Sequence, residues 1–354
     1  MDIMSLATEL NPVGKLIYNH LFGWIQTWGS ESELIGAFGI TVIFFTLFLK
    51  IATSPLDVWQ KVLARKNSKK MEIMKPELEK LNKNFGNNKD VLMAKQRELY
   101  KKHKYSAFGA CLPSLVTLVI FFVIFGGFNS AVKHHNSVVF DELSGVYNTT
   151  YTQVYSEEES KGNLEAYVVA TESAEQAVLN AYKPEKFLLT TNIFMPDTWK
   201  NPIPDISTYA GTGMGKLGIE DVNATEYEKV MKPIFEKYNV NEKGKSKWNG
   251  YLILPILCII VSFLSTKLIK QPEQPQMAGQ TEEQAKMQQN QAKTMQFIMP
   301  IMMGVFSLFY SAAFTLYMLI SNLFTLIFNL IFNIVTKQID AKEKDRLMST
   351  TVKK

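Results

Sequence analysis

The residue most out of keeping with its surroundings is Lys50. Residues 40–56 read Ile-Thr-Val-Ile-Phe-Phe-Thr-Leu-Phe-Leu-Lys-Ile-Ala-Thr-Ser-Pro-Leu, a strongly apolar helical run holding a single charge. About five residues, or roughly 7–8 Å along a helix, separate Lys50 from Pro55. An ammonium held in hydrocarbon costs from about 3 to above 10 kcal/mol. Two solutions are open: the side chain snorkels to the headgroups, or it sits in a watery cavity. Thr46 lies one turn earlier on the same face. A second polar set, Tyr317, Ser321, Asn322, Thr325, Asn329 and Asn333, recurs every three or four positions in another apolar run. Ser114 and Thr117, three apart, face one way on a third. Hydroxyl residues of that kind often only pack helices together. A stripe of six polar residues exceeds what packing needs and points to a hydrated cavity.

These groups can supply hydrogen bonds, water and one positive charge. No apolar run holds an acid paired with a base, a nucleophile with its base, or a phosphate loop. The pattern therefore points away from an enzyme and calls for no cofactor. Gly213-x-Gly215-x-x-Gly218 has the spacing of a dinucleotide fingerprint, but no strand precedes it and no βαβ unit surrounds it. His134-His135 lacks a suitably spaced third ligand, so no metal site is expected. With no acidic residue inside any apolar run, the counter-charge to Lys50 is expected to arrive with a substrate.

The elements that must position these residues follow from hydropathy. The chain has 354 residues, 47% of them hydrophobic. That share is ordinary for a soluble protein, but the apolar residues concentrate around 35–52, 107–128, 251–269, 297–314 and 316–335. Runs of this length read as five membrane-spanning helices. As one helix, 297–335 would extend about 58 Å, nearly twice a bilayer core, so it must turn back near 310–313. Cys111 and Cys258 each lie within a predicted span, which implies no disulfide framework. The start of the chain shows no pattern of a cleaved signal peptide.

Taken in order, residues 1–33 form an extracytoplasmic interfacial segment. Within it Leu16, Ile17, Phe22, Ile25 and Trp28 share a broad face, edged by Tyr18 and Trp24. The first span covers 34–54. Residues 55–105 form a basic cytosolic hairpin of two helices. In it Met71, Met74, Leu78, Leu81 and Phe85 make one stripe, Phe-Gly-Asn-Asn at 85–88 marks a turn, and Val91, Leu92 and Leu99 continue the pattern. Residues 57–104 carry 14 Lys and Arg against 6 Asp and Glu, which places them in the cytosol and the N-terminus outside. Anionic lipid headgroups or ribosomal RNA are candidate contacts for that charge, beside a plain solvated face. The second span is 106–131. Residues 132–249 form an acid-rich extracytoplasmic insertion with helical stretches at 163–182 and 225–238, the latter opening on a capping box, Thr225-x-x-Glu228. The third span is 250–269, a Gln- and Met-rich cytosolic loop follows at 270–294, the fourth and fifth spans are 295–312 and 314–336, and a basic cytosolic tail covers 337–354. The fold class expected is all-α, with five transmembrane helices, the N-terminus out and the C-terminus in.

Several of these residues also carry a resemblance. Lys50-x-x-x-x-Pro55-Leu56, Met71-x-x-Met74-x-Pro76-Glu77-Leu78, Leu99-Tyr100-Lys101-Lys102, Cys111-Leu112-Pro113, Met299-Pro300 and Leu316-Tyr317 followed by Ser321-Asn322-Leu323-Phe324 stand in the order and spacing of one family. Over about 14–130 and 250–337 the chain resembles the YidC/Oxa1/Alb3 membrane insertase family in its bacterial form. The resemblance implies a five-helix core enclosing a hydrophilic groove, here lined by Lys50, Thr46, Ser114, Thr117, Tyr317, Ser321, Asn322, Thr325 and Asn329. It implies nascent membrane proteins as partners and insertion without nucleotide in the bacterial plasma membrane. It leaves the ribosome and the Sec translocon as candidate partners and gives no role to DNA. Three departures stand out: Lys50 where the family has arginine, Thr117 and Val119 where many relatives carry glutamine and proline, and the long insertion at 133–247. A transporter or channel component moving an anionic substrate is the alternative reading of the same polar residues.

Overall fold

Apolar periodicity over long stretches dictates helices, and the chain is built of them. The computed structural model describes residues 8–28, 34–105, 107–268 and 282–351. In chain order the elements are α1 (Pro12–Lys15), a π-helical stretch (Leu16–Phe22), α2 (Gly23–Gln26), α3 (Ala37–Phe85), α4 (Lys89–Lys102), α5 (Ala107–Ser160), α6 (Ala166–Ala181), α7 (Ile206–Tyr209), α8 (Ala224–Tyr238), α9 (Ile253–Leu268), α10 (Glu282–Ser307) and α11 (Ala312–Thr351). Among the described residues the only β-type pairings are isolated bridges, such as Ile35 with Phe187, so the fold class is all-α. Three described helices are long and apolar enough to cross a membrane, within Ala37–Phe85, Leu115–Ser160 and Ala312–Lys342, and a shorter apolar helix covers Ile253–Ser265.

Helix α3 runs unbroken through two internal prolines, Pro55 and Pro76. Proline removes the N–H that would bond to the carbonyl four residues back. At Pro55 that carbonyl belongs to Ile51, and the Ser54 hydroxyl donates to it at 2.8 Å, which keeps the helix tolerable in a dry setting. The chain forms two compact units: one of 1–46, 122–257 and 304–319, the other of 47–121, 258–303 and 320–354.

In the first unit, α5 carries on to Ser160, so the insertion begins as a continuation of an apolar helix rather than as a loop. Its core gathers Phe140, Leu143 and Tyr147 of α5, Ala174 and Val178 of α6, and Tyr227, Val230, Met231 and Ile234 of α8. Helix α8 is capped by Asn223, whose side chain accepts from the N–H groups of Thr225 and Glu226. The capping residue is therefore two positions upstream of the Thr225 expected from the sequence. In the N-terminal segment Ile17, Phe22 and Ile25 are buried, whereas Leu16 and Trp28 are exposed. The wider turn of the π-helical stretch brings residues five apart onto one face, which rotates Leu16 out of the expected set.

The insertion also completes three helix starts. Gly36 N–H donates to the Lys186 carbonyl at 2.7 Å and Phe38 N–H to Glu185 Oε2 at 3.2 Å, at the head of α3. Asp197, 1% exposed, accepts from Leu252 N–H and Leu254 N–H at the head of α9. Ala312 and Ala313 N–H donate to the carbonyls of Met195 and Ile193 at the head of α11. The first N–H groups of a helix have no intrahelical partner, and here one polypeptide segment satisfies them on three helices.

In the second unit the two hairpin arms are α3, ending at Phe85, and α4, capped by Asn88. Met71, Met74 and Leu78 pack on Leu99, Tyr100 and Tyr105, with Leu81 at the edge. Val91 faces solvent while Leu92 is fully buried. Gly86 has no side chain because a Cβ there would meet the Asn82 carbonyl at 2.6 Å. Residues 282–294, expected as loop, are helical and continuous with the apolar part of α10; residues 270–281, with Met277, lie outside the described residues. The turn between α10 and α11 falls at 308–311.

Candidate functional site

Along α11 the ordinary arrangement of a soluble helix is reversed. Asn329 is buried and Ser321, Asn322 and Thr325 are half-buried, while Ile327, Leu330, Ile331 and Ile334 are exposed. A helix with apolar groups outward and amides inward suits a hydrocarbon solvent, where each polar group must find a partner inside the protein.

Neighbouring helices supply those partners. Lys50 Nζ donates to Thr325 Oγ1 at 3.3 Å, and Thr325 Oγ1 in turn donates to the Ser321 carbonyl at 2.8 Å. Lys50 therefore turns inward, toward the polar stripe, rather than along its helix to the headgroups. Asn322 Nδ2 donates to Ser262 Oγ at 2.9 Å and to Cys258 Sγ at 3.6 Å, tying α11 to α9. Gln60 Nε2 donates to Thr117 Oγ1 at 3.4 Å. The Oδ1 of Asn329 is buried with no hydrogen-bond partner. A buried acceptor left so costs about 1–3 kcal/mol, a cost that a donor from an incoming chain or a water would relieve.

Two residues expected beside these are engaged elsewhere. Thr46 is fully buried and donates to the Val42 carbonyl of its own helix at 2.6 Å. Tyr317 is buried among rings, 5.4 Å from Phe128 and 5.9 Å from Phe314. Both belong to the first unit, while Lys50, Thr117, Ser321, Asn322, Thr325 and Asn329 belong to the second. Ser114 lies in α5, and its side chain is outside the described residues.

The sequence reading missed Asp57. It lies two turns after Lys50 on α3 and one turn before Lys61, so the three charges share one face of the helix. The residue falls just past the apolar run, so a search within the run alone passes over it. The seven-residue spacing, which returns a helix to the same face, was the available signal. Lys61 in turn lies 5.9 Å from the ring centroid of Phe328 and 5.6 Å from that of Phe332 on α11. Further along, Arg65 and Lys69 pair with Asp340 of the same long helix.

A helical membrane protein with inward-facing polar groups and an inward lysine within an apolar run is thus the class these elements define. Comparison with known proteins narrows it. The model of a family described as "60Kd inner membrane protein" matches residues 30–339, and the chain belongs to that family. A protein of Fusobacterium nucleatum named membrane protein insertase YidC is 41% identical over 103 residues, which are 29% of this chain and 48% of the relative. Its namesake in Caldanaerobacter subterraneus is 33% identical over 91 residues, 26% of this chain and 42% of the relative. That of Geobacter sp. strain M21 is 34% identical over 115 residues, 32% of this chain and 19% of the relative. The matched regions span about half or less of these relatives' lengths.

Proposed function

We propose that this chain is a membrane protein insertase and chaperone of the bacterial plasma membrane, with five spans, an external N-terminus and a cytosolic C-terminus. In this reading α9 and α10 supply the two spans beyond the three longest apolar helices. The observation that carries the proposal is the Lys50–Thr325 hydrogen bond, which points a cation at a stripe of hydroxyls and amides inside an apolar helix set. The family membership and the names of the relatives agree with it.

The chemistry is solvation without covalent change. A nascent protein with a short acidic external segment must carry that segment across hydrocarbon. An isolated carboxylate there costs several kcal/mol even on the most lenient scale. Lys50 offers it an opposite charge, and Thr325, Ser321, Asn322 and Asn329 offer hydrogen-bonding groups in place of bulk water. Asp57 lies cytosolic of Lys50 and already shares its field. An arriving carboxylate would therefore meet a lysine partly balanced from one side, which favours transient rather than lasting capture. The substrate's apolar segment then leaves for lipid, and its burial, at about 25 cal/mol per Å², drives the step with no nucleotide. Nascent membrane proteins are the partners. The basic hairpin faces anionic headgroups and is the surface for a ribosome, and a Sec translocon is a further partner in the same membrane. The alternative, movement of an anionic solute, gains no support from the comparisons.

The test is reconstitution of the purified chain in liposomes, following insertion of a single-span substrate with an acidic N-terminal tail. Insertion proceeds without ATP, Lys50→Arg retains it, and Lys50→Glu abolishes it. Equal insertion by the wild type and Lys50→Glu would refute the role given to this lysine.

A further inference from the structure

The glycine pattern at 213–218 stands in no βαβ unit among the described residues, and its backbone is unusual. Gly213, Gly215 and Gly218 all have positive φ, at +104°, +79° and +61°. A Cβ on Gly215 would meet Lys200 Nζ at 3.0 Å, and one on Gly218 would meet Lys133 Nζ at 3.3 Å. The glycines thus let the loop turn in left-handed steps and let two ammonium groups lie against its backbone.

This loop forms one wall of a cavity of about 380 Å³ in the first unit. Lys133 and Lys216 line it, and Lys200 touches two of its other lining residues, Gly215 and Phe309. Among the described residues none of these three lysines has a carboxylate within ion-pair distance. Lys133 Nζ donates to the Gly218 carbonyl at 3.4 Å, Lys216 Nζ donates to Ser207 Oγ at 3.1 Å, and Lys200 Nζ lies 5.5 Å from the Phe309 ring centroid. Glu220 is the one acidic lining residue. Burial and the neighbouring Lys216 hold the Lys200 ammonium below the ordinary lysine range, against a smaller opposing pull from Asp205. Asp205 also acts on Lys216, but three cations around one cavity against Glu220 and Asp205, with no ion pair among them, leave a positive excess that an anion would relieve.

The other walls say which anion. Phe125 and Val132 of α5, and Phe309, Tyr310 and Ser311 at the turn between α10 and α11, line the same space. The end of the apolar part of α5 and a turn between two apolar helices mark the height of a membrane surface, a placement that rests on the five-span reading above. We propose that this cavity takes the phosphate of an anionic phospholipid from the outer leaflet. Lys133 and Lys216 contact the phosphate oxygens, Lys200 adds charge from beside Gly215, and the aromatic wall packs the glycerol and upper acyl chains.

The test uses the full chain, purified from membranes and exchanged into vesicles of phosphatidylcholine with or without phosphatidylglycerol, with retained lipid read by native mass spectrometry in the absence of any substrate. The wild type retains phosphatidylglycerol over phosphatidylcholine. Each lysine removed weakens retention about fivefold, as expected for about 1 kcal/mol per basic residue at a membrane surface. Lys133→Gln/Lys200→Gln/Lys216→Gln loses the preference, and the corresponding triple arginine variant keeps it. Unchanged preference in the triple glutamine variant would overturn the proposal. If that variant does not fold, Lys216→Gln alone, at an exposed side chain, must show the fivefold loss or the proposal fails. Displacement of the lipid by soluble glycerol phosphate at similar concentration would show a free-phosphate site and overturn the lipid assignment. Because no substrate is present, a chain that fails to insert proteins but retains phosphatidylglycerol would refute the insertase reading and leave this one standing.

Discussion

The core built from residues 132–249 and the inner face of α11 follow opposite plans. In the insertion Tyr227, Ile234, Val230 and Ile203 are buried, and its charged residues, such as Glu158, Lys161, Glu175 and Lys232, pair with one another near the surface. Along α11 beyond residue 320 the amides and hydroxyls turn inward and the isoleucines turn out. The two regions obey the same rule in different solvents. Each hides from its surroundings what those surroundings solvate poorly, apolar groups from water in one case and polar groups from hydrocarbon in the other.

The contrast breaks most sharply at Lys50. Lys50→Glu abolishes detectable insertion, a loss of at least about a hundredfold, the equivalent of roughly 3 kcal/mol for a charge at membrane depth, while the unfolding transition of the 132–249 region stays in place. In the other region Ile234→Ala acts the opposite way. Removing a fully buried side chain costs about 2–5 kcal/mol, read as earlier denaturant unfolding or faster hydrogen exchange in α6 and α8. Rates of substrate insertion normalised to folded protein are expected to hold.

A smaller change is expected at Asn322→Leu. Hydrogen bonds between membrane helices contribute about 0.6–1.7 kcal/mol, so loss of the bonds to Ser262 and Cys258 lowers the melting temperature by a few degrees. A shift as large as that of Ile234→Ala would mean that polar contacts hold the membrane region as strongly as packing holds the insertion. The smallest effect concerns pH. Burial raises the Glu185 carboxyl above its usual range, against the N–H of Phe38, which favours the charged form. The folded state therefore favours the protonated acid. Its stabilisation is full below the unfolded carboxylate range and is lost as pH rises through the elevated folded value. Glu185→Gln keeps an acceptor for Phe38 and is expected to flatten that part of the stability-versus-pH curve, measured by thermal melting across mildly acid to neutral pH. An unchanged slope would assign the dependence to another group.

Several features are legible in the sequence. Helical periodicity in the hairpin placed Met71, Met74 and Leu78 on one face, and they do share a buried face with Leu99. The three-to-four spacing from Ser321 to Asn329 implied a common side, and that side is the inner one. The break in the long C-terminal apolar run followed from length alone and falls at 308–311. Other features were hidden for physical reasons. The extension of α5 to Ser160 passes through Glu157–Glu159, residues as ordinary in a solvated helix as in a loop. Thr46 matches Lys50 in spacing, but a threonine hydroxyl can bond its own helix backbone, and here it does.

What the sequence determined by itself is the alternation of helix and solvent: which stretches are apolar enough to leave water, where a lone cation interrupts them, and which polar residues share a helix face. These follow from local composition and from periods of three to four residues. Only the tertiary structure decided the partners. Lys50 meets Thr325 across 275 positions, and Asp197 caps a helix 55 positions away. Gly215 makes room for Lys200. Such pairs depend on distances in space that no local spacing encodes, and they complete the orphaned donors and unbalanced charges that the sequence could only display.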